Sequence, residues 1–297
     1  MVGLLNDNNN TIQYVFSILL TKTKTYEKKD YFAMLAAMMV CGASLFTACS
    51  TEDNPVKGEK LMDKLIGKWI LSDLDGTPCP TNLKTVFTFV SPTKAFGSLS
   101  DYYTPAWNVR VEADVVYDGD KHLTVKSNEG QYLNVVDCYI ASVTERFLTM
   151  STEWYAYDGD KEITHETYQP ERYERINVDY KDDIVGVWEG SAVDPIDVNS
   201  YGETHRWEYR ADGTYTYYNF VDGEWKAQDD VLAEYFVDGV LLCTRWQKTA
   251  DSAEQREWWE IESIVDDVMT WKATRVRADG TKYEEHFQMR KALIVIP

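Results

Sequence analysis

Beyond residue 60 the chain is written in a two-residue rhythm. Val240, Leu242 and Thr244 face one way and Leu241, Cys243 and Arg245 the other; Trp258, Glu260 and Glu262 alternate with Trp259, Ile261 and Ser263. A period of two is the signature of β-strands, whose successive side chains point to opposite faces. The runs are short and punctuated by Asp-Gly at 118–119, 158–159, 212–213, 222–223, 238–239 and 279–280. Asp-Gly between β-rich runs signals a tight hairpin, because the turn needs positive φ. After Cys49 no amphipathic pattern exceeds two helical turns; Lys60, Leu61, Lys64 and Leu65 have the spacing of one short helix over 58–65. Many short strands with close turns predict a barrel or sandwich. A small closed barrel is favoured, since it leaves no edge unpaired.

The pattern occurs twice. Leu65-Ile66-Gly67-Lys68-Trp69 matches Ile184-Val185-Gly186-Val187-Trp188, and Leu148-Thr149-Met150 matches Met269-Thr270-Trp271 at nearly the same offset. Asp158-Gly159, Lys161 and His165 then align with Asp279-Gly280, Lys282 and His286. Two distant anchors with a near-constant offset argue for duplication. The polar stretch Val178–Asp183 marks the boundary, giving domains 61–177 and 178–297. The first copy has Ser91-Pro92-Thr93-Lys94 where the second has an Asp-Gly-Thr turn, which leaves its strand register open.

The N-terminal region follows a different rule. Tyr31–Phe46 is an apolar run preceded by Lys28 and Lys29 and followed by Ala48-Cys49. It is short for a membrane span and suits the apolar region of a secretory signal. Leu45-Phe46-Thr47-Ala48-Cys49 resembles a bacterial lipobox, with Phe46 where Leu is usual. The resemblance implies that Cys49 carries the lipid and becomes the first mature residue, so that 1–48 are a signal with an upstream extension from a start assigned too early. Residues 49–60 then read as a polar tether. Its Glu52-Asp53 pair resembles the surface-export signal of Bacteroidota lipoproteins, implying a lipid-anchored, surface-exposed position on the outer membrane.

Within the second repeat, Gly186-Val187-Trp188 opens the unit and Ala211-Asp212-Gly213-Thr214-Tyr215-Thr216 follows on an aromatic strand. Gly223-Glu224-Trp225, Ile261-Glu262-Ser263-Ile264-Val265-Asp266-Asp267-Val268-Met269 and Phe287-Gln288-Met289-Arg290 complete the order. This series resembles the bacterial lipocalin-like domains, and Gly67-Lys68-Trp69 opens the first unit alike. The resemblance implies an all-β protein of two tandem antiparallel lipocalin-like barrels, of about eight strands each. It also implies a structural tryptophan at each closed end with a late arginine across its ring: Trp188 with Arg290, and Trp69 with Arg172 or, second, Arg175.

Charge and chemistry narrow the function. Thirty basic against 49 acidic residues give a net charge of −19, which repels nucleic acid. Cys41 falls within the signal; Cys79, Cys138 and Cys243 form no Cys-x-x-Cys pair, and either a Cys79–Cys138 bridge or three buried thiols is compatible with them. The four histidines (122, 165, 205, 286) have no metal-binding spacing, and there is no nucleophile elbow, phosphate loop or dinucleotide fingerprint. Adjacent acidic pairs such as Asp266-Asp267 read as turns, and Asp-Gly-Asp at 118–120 and 158–160 as hairpins rather than calcium loops. No catalytic residue, metal or cofactor is expected. The unusual resource is aromatic: about half of the rings in the second unit should fill its core, and the alternating others should face out or line a cavity, as surfaces for flat ligands, sugars or protein partners. Trp258-Trp259 must place one ring on each face of a strand; with Trp246 and Tyr217 they are the candidate contacts. The expectation is a non-catalytic binding protein for a small apolar or amphiphilic ligand or a glycan. A filled-barrel protein-interaction module comes second, and a glycoside or ester hydrolase is a remote third.

Overall fold

The computed structural model describes residues 58–99, 107–119, 121–129, 131–193 and 204–292. Cys49, the signal and most of the tether lie outside them. The described chain is almost entirely antiparallel strand, arranged as two tandem barrels in sequence order.

The first unit starts with helix α1 (Gly58–Leu65), then strands β1 (Gly67–Leu74), β2 (Thr77–Pro78), β3 (Val86–Ser91), β4 (Lys94–Leu99), β5 (Val109–Tyr117) and β6 (His122–Glu129). It continues with β7 (Tyr132–Val143), β8 (Phe147–Asp158), β9 (Lys161–Thr167) and β10 (Glu171–Ile176). The ladder runs β1-β3-β4-β5-β6-β7-β8, and β10 closes it by pairing with both β8 and β1. The result is an eight-stranded closed barrel. The long strand β8 serves two partners: Phe147–Met150 pair with β10 and Glu153–Asp158 with β9. Pro170, which has no amide hydrogen to offer a ladder, lies in the break between β9 and β10. The Ser91–Lys94 link is a hairpin between β3 and β4, with a register shift between Phe89 and Ser91.

The second unit comprises β11 (Gly186–Ala192), β12 (His205–Tyr209), β13 (Tyr215–Val221), β14 (Glu224–Ala227) and β15 (Leu232–Asp238). Then come β16 (Leu241–Gln247), β17 (Gln255–Val265), β18 (Val268–Val276) and β19 (Lys282–Lys291). Its sheet runs β14-β13-β12-β11-β19-β18-β17-β16-β15. The single strand β19 here does the work of both β9 and β10, pairing with β18 and β11. The barrel is curled but not sealed. Strand β13 spends its outer edge on β14 through Tyr218–Val221, so among the described residues the Thr214–Glu234 bridge is the one ladder pair between that side and β15. The expectation of a closed cylinder with no free edge therefore fails for this unit, because β14 occupies the edge of β13 that closure needs.

Three apolar clusters hold the molecule together. Two are barrel interiors. The third lies between the barrels: Ile70, Val86 and Ile176 of the first pack against Leu241, Cys243 and Trp258 of the second, with Trp107 edge-on to Phe236 at 5.0 Å. This explains why both faces of β16 are apolar: one fills its own barrel, the other the joint. Polar contacts seal the rim. Lys84 meets Glu260, Lys68 Nζ donates to Asp238 (2.6 Å) and Asp179 (3.2 Å), and the Thr274 amide donates to Thr81 Oγ1 (2.7 Å). Cys79, Cys138 and Cys243 are buried and in no disulfide, so the Cys79–Cys138 bridge is not formed.

Candidate functional site

The closed ends come first, because they separate structural aromatics from available ones. Trp69 and Trp188 are fully buried, and each indole Nε1 donates to a carbonyl four residues earlier, Leu65 (2.8 Å) and Ile184 (2.6 Å). A cation lies over each ring, but not those first expected. Arg175 covers Trp69 at 4.1 Å and Lys291 covers Trp188 at 5.2 Å. Register decides this: Trp69 stands opposite Arg175 and Trp188 opposite Lys291, and directly paired residues share a face. Arg172 points to the other side, where it binds Asp73; Arg290 stands opposite Glu189 and is exposed. The glycine two residues before each tryptophan has a physical reason. Gly67 and Gly186 hold φ of 131° and 140°, and a Cβ there would lie 2.5 Å from Arg175 Nη1 or Lys291 Cε. The cation crosses the space a side chain would fill.

The four proposed contact residues separate into two groups. Trp258 is 1 % exposed and belongs to the joint between the barrels, so it is no ligand contact. Its neighbour Trp259 turns into the second barrel, stacked on Trp271 at 5.5 Å and edge-on to Phe287 at 5.2 Å. Tyr217 and Trp246 are half-buried and border the same cluster from opposite sides of the unsealed seam. Tyr217 stands opposite Trp207 on β12, and Trp246 opposite the small Ala233 on β15. Inward alternation thus gathers Trp207, Tyr217, Trp246, Trp259, Trp271 and Phe287 on one concave face. Trp271 Nε1 is buried without a hydrogen-bond partner among the described residues. A buried unpaired donor costs on the order of 1–3 kcal/mol, which a ligand acceptor would recover.

Polar groups border this floor, and sequence reasoning passed over them. His205 Nδ1 is 2.9 Å from the Tyr217 hydroxyl, and its ring stacks on Trp207 at 5.3 Å. Arg275 lies over Trp259 at 4.6 Å, donates to Glu257 Oε1 (2.7 Å) and approaches Glu285 at 3.6 Å. Burial raises the Glu257 carboxyl above its ordinary range, against the pull of Arg275. Tyr235, whose hydroxyl donates to the Arg210 carbonyl (2.7 Å), is pushed up to about 12, and burial also raises Tyr209 and Tyr215. The phenols are therefore neutral donors at physiological pH. The findable signal was the inward frame itself: Glu257, Trp259 and Ile261 share one face of β17, and Glu285, Phe287 and Met289 one face of β19. Among the described residues no group of three or more His, Cys, Asp or Glu side chains is arranged to hold a metal.

Compared with known proteins, the chain matches no family model, and no curated protein matches it. Its chemistry is read from its own residues.

Proposed function

We propose that this chain is a non-catalytic binding protein of the bacterial cell envelope. It is anchored to the outer membrane through a lipidated Cys49 and presents two lipocalin-like barrels. In this reading the second barrel takes a small, flat, amphiphilic molecule. The observation that carries it is the concave aromatic floor with a cationic and phenolic border beside an unsealed seam. A ring system can stack on Trp246 and Tyr217 above the Trp259–Trp271 floor, and a polar head can meet Arg275, His205 or the free Trp271 N–H. The carboxylates beside it are already engaged by Arg275, which suits fixed recognition more than proton transfer.

The test is titration with N-phenyl-1-naphthylamine, a flat amphiphilic fluorophore, followed by emission and by tryptophan quenching. The full chain should bind it saturably, and Trp246→Ala should weaken binding about tenfold, the scale of losing one aromatic stacking partner. Absence of saturable binding would favour the protein-interaction reading. That reading has one observation of its own: Phe220 is 59 % exposed beside Trp225 at the outer tip of the β13–β14 hairpin. Cys49→Ser should release the chain from the membrane fraction; unchanged retention would remove the anchor from the proposal.

A further inference from the structure

We propose that the interior of the first barrel holds a separate site for a small alkylammonium ion, with Glu171 as its counter-charge. The two walls of that interior differ. On β4 and β5, Ala95 stands opposite Ala113 and Gly97 opposite Val111, and Ser127 continues the inward row of Leu123 and Val125 on β6. These side chains are small. Among the described residues a Cβ built on Gly97 meets nothing within 4 Å, although its register partners Phe87 and Val111 belong to the inward rows. Among them, the inner side of β4 is therefore open.

The facing wall carries Glu171 and its partners, and the Asn134–Ser127 pair links that wall to the end of the β6 row. Glu171 is 3 % exposed and accepts a hydrogen bond from the Tyr173 hydroxyl (2.8 Å); Thr152 is its other partner. Two residues along β8 from Thr152, the Trp154 indole donates to Asn134 Oδ1 (3.2 Å), and Asn134 stands opposite Ser127. Ser127 Oγ is buried with no partner among the described residues. No lysine, arginine or histidine pairs with Glu171 among them either; the nearby Arg172 is committed to Asp73 on the other face. A buried carboxylate without a cation is costly, and so is a buried hydroxyl without a partner. A primary ammonium supplies three donors and a positive charge, while Phe87, Val111, Ala95 and Ala113 offer an apolar sleeve for its chain. The arrangement is independent of the aromatic face in the second barrel.

Protonation gives the site a pH signature. Burial raises the Glu171 carboxyl to about 7. The other titratable groups facing it are Tyr173 on its own strand, Cys138 on β7 and Tyr168 before β10, and all are raised far above neutrality. Only Glu171 changes charge between pH 6 and 8, so ammonium affinity should rise across that interval.

The experiment compares hexylamine with hexanol by calorimetric titration of the full chain at pH 6 and pH 8. Hexylamine should bind at pH 8 about tenfold or more tighter than hexanol, the scale expected for one buried charge pair. Glu171→Gln should erase that preference, and Gly97→Leu should block both compounds by filling the space. Trp246→Ala should change neither. Equal affinity for amine and alcohol, a preference surviving in Glu171→Gln, or loss of amine binding in Trp246→Ala instead would each overturn the proposal. Circular dichroism of each variant reports that it is folded.

Discussion

The two barrels share one strand plan and differ in how they end it. In the first, β4 gives its whole outer edge to β5, from Lys94–Asp114 to Leu99–Val109, and the cylinder closes. In the second, the equivalent strand β13 turns into the extra hairpin strand β14, and its contact with β15 shrinks to one bridge. Where the first barrel pairs β4 with β5, the second pairs β13 with β14 and leaves a seam. The interiors follow. The closed barrel has small side chains along β4–β6 and a buried carboxylate; the open one is paved with tryptophan and tyrosine. Closure pairs β4 with β5 along its length and β10 with both β1 and β8, which encloses the interior. The open unit exposes two strand edges and offers a lateral way to its aromatic face.

The largest effect should come from the joint, where the barrels cease to be separable. Trp258→Ala empties the centre of the third cluster and should cost about 3–5 kcal/mol. It should also split a shared thermal transition into two, measurable by calorimetry. A single unchanged transition would mean that the barrels do not lean on each other there.

Next is Glu171, the buried carboxylate of the closed barrel. The folded-state pKa of Glu171 is raised to about 7 from 4.5. The folded state therefore holds its proton more tightly than the unfolded chain, and this stability is present below about pH 4.5 and is lost as pH rises through 7. Glu171→Gln should therefore stabilise the chain at pH 8 by on the order of 2–3 kcal/mol relative to its effect at pH 4. Denaturant melts at the two pH values read the difference.

The closed ends provide a finer contrast. Besides covering Trp69, Arg175 donates to the carbonyls of Ile66 (2.7 Å), Glu145 (2.9 Å) and Lys64, whereas Lys291 stands over Trp188 at 5.2 Å. Arg175→Met should cost about 2 kcal/mol, and Lys291→Met about 0.5–1 kcal/mol. Equal losses would show that ring coverage alone matters and the carbonyl contacts do not.

Much of this fold was legible because strand periodicity is local. The alternation, the Asp-Gly hairpins and the duplicated Gly-x-Trp all report on neighbours in sequence. The short helix over 58–65 appeared from four residues, and the Ser91–Lys94 link forms the hairpin that its position in the repeat required. What stayed hidden depends on distance. Which cation covers a tryptophan is fixed by a register one residue finer than a motif can state, hence Arg175 and Lys291 in place of Arg172 and Arg290. Trp258 looked available because nothing in its own strand reveals that another barrel covers it. The break at Pro170 and the unsealed seam concern which edges meet, and no single strand encodes that. The site residues were half visible: Trp246, Trp259 and Tyr217 stood out as aromatics, whereas His205, Glu257, Arg275 and Glu285 acquire meaning only once four strands place them together.

The first barrel's wall is sealed and the second's is not. Peptide-resolved hydrogen exchange measures this directly. Amides of β15 that point away from β16 should exchange far faster than those of β5 that face β4, and N-phenyl-1-naphthylamine should slow the first set selectively. Equal protection along β5 and β15 in the free chain would contradict the account.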